Sequence, residues 1–325
     1  MRRSLGLKQL TISARLSRVT FLSPLYIGEA GAVEARLSFH APGWLAEFRA
    51  PREQRRQHAG LQLHIAASNE DKAQRALDAI WAAHGILEFK ADDDPRLVVY
   101  RPGVDYRPGV YACSIASTSA YYPRSVLLAC SLATKAARRR AHQYALAILH
   151  RSMALHSNDP MQLDPASARH VRLSPNPADH VRFGYAIVTA YAVLEQLALE
   201  VRASESNPSF INGAWNPNVR SELEQRLERA GVDLNDPAVW HLRGPRTRIE
   251  NARGVRALRR ANWAWGAVRD LEVDVVDAIA SASWLRSKVS AHKIGDLARS
   301  LSIYDVANAQ HLARRLFLEA LGMYR

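Results

Sequence analysis

Val33-Glu34-Ala35-Arg36-Leu37-Ser38-Phe39 alternates apolar and polar positions without a break, and Leu61, Leu63 and Ile65 alternate with Gln62 and His64. A period of two is that of a strand with one face buried, so both segments are expected to be half-buried β-strands. Leu10, Ile12, Ala14 and Leu16 alternate too, but the apolar phase then jumps to Val19 and Phe21, which predicts a third strand bulged near Ser17. Ala73, Ala76, Leu77, Ile80 and Trp81 recur at helical spacing behind Ser68, an N-cap candidate with Asp71 three residues on, and predict a helix packed on this sheet. Ile86 to Phe89 and Leu97 to Tyr100 read as short strands around Asp92-Asp93-Asp94-Pro95, a solvated turn rather than an ion site. Tyr100-Arg101-Pro102-Gly103-Val104 recurs as Tyr106-Arg107-Pro108-Gly109-Val110, a pair of Pro-Gly turns.

From about residue 126 the period changes to 3.6. Val126 to His156 reads as one long helix with a basic segment at Lys135, Arg138, Arg139 and Arg140, and the prolines of 158–177 make a loop. Phe183, Ile187, Ala190, Tyr191, Leu194, Leu197 and Val201 form a clean helical stripe. Asn218 is expected to cap a helix carrying Leu223 and Leu227 and closed by Gly231. Val268, Leu271, Val275, Ile279 and Ala282 predict another helix, and Ser302 with Asp305 opens the last one, through Val306, Ala309, Leu312 and Leu316. The expected fold is an α+β N-terminal domain over residues 1–125 followed by an all-α C-terminal helical bundle over 126–325.

A chain of 325 residues with a 48% hydrophobic share has room for about two domains of roughly 150 residues and excludes intrinsic disorder. No apolar run approaches the roughly 18 residues of a membrane span, and Lys8 and Arg15 interrupt any secretory core behind Met1-Arg2-Arg3, so a cytoplasmic protein without a membrane partner is expected. Cys113 and Cys130 alone make neither a disulfide framework nor a zinc site and read as reduced thiols. The formal charge is 44 − 31 = +13, which favours an anionic partner, nucleic acid first among them. Of the 44 bases 38 are Arg in an Ala-rich chain, so biased base composition accounts for the same excess. The charge divides as 17 − 12 = +5 over residues 1–125 and 27 − 19 = +8 over the rest, which singles out neither part.

Trp284-Leu285-Arg286-Ser287-Lys288-Val289-Ser290-Ala291-His292 lies between the last two helical stripes. It resembles the motif of HEPN domains, in which an Arg and a His are separated by four to six residues. Spacing alone carries nothing: chance yields about four such pairs here, and Arg52/His58 and Arg151/His156 also qualify. The context adds weight, because the family resembles a helical bundle with this motif just before its final long helix, and Ser302 to Met323 supplies that helix. Ala190-Tyr191-Ala192-Val193-Leu194-Glu195-Gln196-Leu197 is similar to the early HEPN helix that carries an acidic residue in an aliphatic face. The resemblance covers about residues 126–325; residues 1–125, a sensor or target-recognition module on this view, resemble no family.

The resemblance implies metal-independent and cofactor-free cleavage of RNA by a homodimer with a composite cleft, in a defence or toxin effector whose inhibitor or antitoxin protein is unknown. Arg286 would clamp the scissile phosphate, since a guanidinium stays charged and grips two oxygens, and His292 would exchange protons with the attacking 2′-hydroxyl. Glu195, Ser287 and Asp296 are the candidate helpers, although Ser287 stands where many members have Asn, Asp or His. On one straight helix Arg286 and His292 would be roughly 120° apart, so a bend, the reach of Arg or pairing of two chains must bring them to one phosphate. Arg243, Arg246, Arg253, Arg256 and Arg260 lie in a segment 243–260 of charge +6 and, with Lys288, are candidate RNA-binding residues. Arg246, Arg253 and Arg260 would share one stripe if the segment is helical, and Trp263 and Trp265 behind them are stacking or core residues. No HExxH, GxxxxGK[ST], GxGxxG or GxSxG pattern occurs, so no metal ligand is named and nucleotide-binding or serine-hydrolase loops are not expected. The alternative is a non-catalytic nucleic-acid-binding or dimerisation module in which Arg286 and His292 are an incidental pair at a solvated helix end.

Overall fold

In the computed structural model Gly43 takes φ 86° behind Pro42 and turns strand β1 (Arg36–Ala41) back into β2 (Trp44–Arg49), the positive φ being what glycine tolerates at the second corner of such a turn. The structure describes residues 36–49, 62–88, 110–114, 123–156, 177–243, 268–291, 301 and 303–323. Strands β3 (Gln62–Ala67) and β4 (Val110–Ser114) complete an antiparallel sheet in the order β1-β2-β3-β4. Its register sets Phe39 opposite Ala46 and Ala46 opposite Ile65, one buried row on one face. Helix α1 (Glu70–Glu88) buries Ala73, Ala76, Leu77, Ile80 and Ala83 and packs against β3 and β2, while α2 (Pro123–Ala136) packs against α1 and β1. Asn69 caps α1, accepting from the Lys72 N–H at 3.0 Å, and the Ser68 hydroxyl expected there takes the Lys72 ammonium instead. The strand expected over Ile86 to Phe89 is the end of α1 as far as Glu88, because Ile86 continues its buried stripe.

The long helix expected from Val126 to His156 is two helices, α2 and α3 (Arg140–Leu155), separated by a turn at Ala137–Arg139. Helix α2 buries Ala129 to Thr134 and Ala136, nearly its whole circumference, whereas α3 buries one face, Ala145, Leu146, Leu149, Ser152 and Met153, and the exposed Arg138, Arg139 and Arg140 stand between the two. The described residues form two compact units, divided at Gln143/Tyr144 rather than after 125, since α2 packs on α1.

In the second unit α7 (Ile303–Ala320) is buried on almost its whole circumference, from Tyr304 to Glu319. Helices α4 (Pro177–Gln196) and α6 (Val275–Ala291) pack on it. Strand β7 (Ala238–Arg243) also lies against α7 and pairs antiparallel with β8 (Val268–Val273). A second ribbon, β5 (Phe210–Ile211) and β6 (Ala214–Trp215), turns through Asn212 and Gly213 at φ 52° and 79°. This unit is therefore mostly helical but not all-α, and the whole is an α+β protein with seven helices among the described residues. The helix expected from Val268 starts only at Val275. Val268 and Leu271 happen to fit its spacing, but Glu272 is exposed and Val273 buried in strand alternation, and Asp274 caps the helix by accepting from the Val276 N–H at 2.8 Å.

Helix α5 (Pro217–Ala230) is capped by Asn216, with Pro217 at its first position, so Asn218 is the donor to the cap rather than the cap. Gly231 closes α5 at φ 83° as its position demands. The stripe read as far as Val201 ends with α4 at Gln196: Ala198 turns left-handed at φ 59° and the Leu199 N–H closes on the Leu194 carbonyl at 2.8 Å. The expectations for Leu10 to Phe21, Leu97 to Tyr100, the tyrosine-arginine-proline-glycine doublet before Val110, the acidic run 92–94, the loop 158–176 and Ser302 lie outside the described residues.

Candidate functional site

Helix α4 presents Tyr191 and Glu195 one turn apart, and the face of α6 that packs beside it presents Ser283 and Arg286. An Arg286 Nη2 hydrogen bonds to Glu195 Oε1 at 2.9 Å, joining residues 91 apart in the chain. Both side chains are about 40% exposed, so the pair stands at the surface, open to water and to a ligand. The guanidinium carbon lies 6.0 Å from the centre of the Tyr191 ring, within range of a cation–π contact. Tyr191 itself is buried; its hydroxyl accepts from the Val201 N–H at 3.4 Å and shares a hydrogen bond with Ser283. Burial raises the phenol pKa, with Glu195 and Glu200 adding to the rise and the hydrogen bonds from Ser283 and Val201 opposing it, so the ring stays neutral beneath the ion pair.

Glu195 occupies the last turn of α4, where the negative end of the helix dipole disfavours a carboxylate, and the Arg286 cation offsets that cost. The bond to Glu195 engages one corner of a fork that carries five N–H donors. Chemically, the arrangement is a tethered guanidinium whose remaining donors can meet two oxygens of an anion. Asp277, at the other end of α6, is buried and accepts from Trp215 Nε1 at 2.6 Å, which ties the β5–β6 ribbon to the first turn of this helix.

Of the residues named from sequence, Glu195 and Arg286 are brought together. Ser287 is exposed one position on. Lys288 lies on another side of α6, its ammonium 5.5 Å from the Trp284 ring centre. Helix α6 is unbroken through Ala291, so no bend falls between Arg286 and the residue before His292. His292, Asp296, Arg246, Arg253, Arg256, Arg260, Trp263 and Trp265 lie outside the described residues. Arg243 is the last residue of β7, paired in register with Val268. Tyr191 and Ser283 are the site residues that sequence reasoning missed. In the sequence Tyr191 is one more core position of the stripe, and only its place four residues before Glu195 marks it. Among the described residues no group of three or more His, Cys, Asp or Glu is arranged to hold a metal ion, and no helix is long and apolar enough to cross a membrane. Compared with known proteins, the chain matches no family model, no curated protein and no solved structure.

Proposed function

We propose that the protein is a metal-independent endoribonuclease of HEPN type that acts as a homodimer through its C-terminal, HEPN-like bundle. The observation that carries the proposal is the 2.9 Å contact of Arg286 with Glu195 above Tyr191. The resemblance points to both side chains, which come from segments 91 residues apart. In this reading Glu195 orients the guanidinium, and its free donors grip the scissile phosphate. The ribose 2′-oxygen attacks phosphorus, the new P–O2′ bond forms as the P–O5′ bond breaks, His292 takes the 2′-hydroxyl proton, and the departing 5′-oxygen gains one from the imidazole of the second copy. The products are a 2′,3′-cyclic phosphate and a 5′-hydroxyl, and DNA is not a substrate.

A dimer seam along α4 fits the exposed face of that helix. Val181, Tyr185, Val188, Ala192 and Glu195 fall within about 80° of one another around the axis, and Val181 and Tyr185 are 39% and 56% exposed. A defence or toxin effector is the cellular role that such an activity suits, with residues 1–125 sensing or positioning a target.

The second reading, a non-catalytic nucleic-acid-binding module, is favoured by the same ion pair, because Glu195 already gives Arg286 a partner. Labelled RNA and DNA of one sequence, incubated in chelator with wild type, Arg286→Ala and His292→Ala, separate the two. Cutting of RNA alone, lost in both variants, is the expected result. RNA retained equally by all three proteins with no cutting overturns the nuclease reading in favour of the second.

A further inference from the structure

Glu195 and Arg286 meet in contact with water, and an ion pair so exposed is too weak to fix its own geometry. The two helices that carry them share a second contact. Tyr191 stands four residues before Glu195 in α4, and Ser283 three before Arg286 in α6. The Tyr191–Ser283 hydrogen bond and the Glu195–Arg286 pair are therefore successive rungs between the helices, about one turn apart. The first rung is neutral and largely out of water, Tyr191 being 4% exposed and Ser283 half-buried. A hydrogen bond in such surroundings is costly to leave unmade, whereas water readily replaces the partner of an exposed group. The buried rung is the stronger constraint on how α4 and α6 sit against one another.

The Tyr191 hydroxyl also has a firm footing on its other side. It accepts from the Val201 N–H at 3.4 Å, and the turn before Val201 is itself held. There the Leu199 N–H closes on the Leu194 carbonyl at 2.8 Å, and Arg226 Nη1 donates to the Ala198 carbonyl at 2.7 Å. A phenol offers one donor and two acceptor sites, so a single oxygen serves Val201 and Ser283 together. The ring it anchors is the one whose centre lies 6.0 Å from the Arg286 guanidinium carbon.

We infer that Tyr191 is a positioning residue whose hydroxyl, through Ser283 and Val201, sets the place of the Arg286 guanidinium. Buried as it is, Tyr191 acts through Arg286 and not on a ligand. Its consequence for cleavage rests on the nuclease reading, whereas the placement of the guanidinium does not, and the two are measured separately.

The placement is read by NMR of the full-length protein, isotopically labelled in its arginine nitrogens. A held guanidinium gives resolved Nη signals, and one that turns freely about its Nε–Cζ bond gives an averaged signal; those of Arg286 are the ones absent from Arg286→Lys. Tyr191→Phe keeps the ring and loses only the oxygen, and Ser283→Ala removes the partner on α6. Wild type should show resolved Arg286 signals and both variants an averaged one. Thr134→Val, which deletes a buried hydroxyl that donates to the Cys130 carbonyl within α2, should resemble wild type. Resolved signals in Tyr191→Phe overturn the inference, as does an averaged signal in wild type; if Tyr191→Phe does not fold, Ser283→Ala decides by the same criterion. On a cleavable RNA, Tyr191→Phe should lower kcat on the order of tenfold and leave KM within about twofold, as for a displaced group that acts in the transition state. An unchanged kcat in a protein whose wild type cuts RNA also overturns the inference. Wild type that cuts no RNA, with the NMR pattern as expected, sinks the nuclease reading alone.

Discussion

At the scale of single residues, the Glu195–Arg286 pair combines low stability value with high positional value. Both groups are largely solvated, so the pair contributes no more than about 1 kcal/mol to folding. Glu195→Gln keeps the shape and removes the charge that orients the guanidinium. Thermal unfolding should barely move, while single-turnover RNA cleavage should fall on the order of ten- to a hundredfold, as for a displaced catalytic group. An unchanged rate would reduce Glu195 to a surface partner. His311 gives a pH dependence of the fold itself. Its Nε2 is sealed from water although the residue as a whole is half-buried, and burial, reinforced by Arg314 and His241, lowers its pKa to about 3. An unfolded histidine titrates near about 6.5, so below that pH the unfolded chain takes up a proton that the folded chain refuses. The stability is fully present above about 6.5 and is lost as the pH falls toward 3. Urea unfolding at pH 7 and pH 5 should differ by about 2 kcal/mol from this group, a difference that His311→Gln removes. Glu195 and Arg286 were legible because both stand in recognisable segments. Tyr191 was not, since a tyrosine in an apolar stripe reads as core, and the burial of His311 depends on neighbours that its own segment does not announce.

At the scale of elements, buried polar side chains of α7 set the register of what surrounds it. Asn308 Oδ1 accepts from the His241 N–H at 2.8 Å and its amide donates to the His241 carbonyl at 2.9 Å, so one side chain completes the edge of β7 as a neighbouring strand would. Gln310 donates to the Ser152 and His156 carbonyls at 3.0 and 2.7 Å and so ends α3 against α7. Arg315 holds the chain before β7 by donating to the Pro237 and Asp236 carbonyls, both at 2.6 Å. Asn308→Ala would strand two buried backbone groups and should destabilise the second unit by about 2–4 kcal/mol, with faster amide exchange in β7 as the specific sign. Equal exchange in variant and wild type would mean that β7 does not depend on Asn308. These contacts span 67 and 158 residues, and periodicity carries no trace of them. The same blindness explains β7 and β8: a strand whose neighbour is a helix alternates over too few residues to outweigh a helical spacing that continues into α6. By contrast β1, β3, α1 and the stripe of α4 were legible, because the alternation or helical spacing of each is unbroken in the sequence and the buried residues Phe39, Ile65, Leu77 and Ile187 fall on its apolar positions.

At the scale of the whole molecule, the α+β character followed from the change of period, but the division of the chain did not. The helical signal begins with α2, yet α2 packs on α1 and β1, on the sheet side of the division, a contact that helical periodicity does not announce. The homodimer proposed along α4 makes its own demand. Tyr185→Asp, placed on an exposed side chain, should leave the monomer folded and shift sedimentation from two copies to one, with cleavage lost in proportion. A dimer unaffected by this change would move the seam elsewhere. The most direct measurement of the central claim is the chemistry of the cut ends: mass spectrometry of RNA fragments produced in chelator, beside a substrate with a single 2′-deoxy sugar at the cleaved position. The expected result is a 2′,3′-cyclic phosphate with a 5′-hydroxyl, and no cutting at the deoxy position. Fragments with a 5′-phosphate and 3′-hydroxyl, or unhindered cutting at the deoxy sugar, would contradict it.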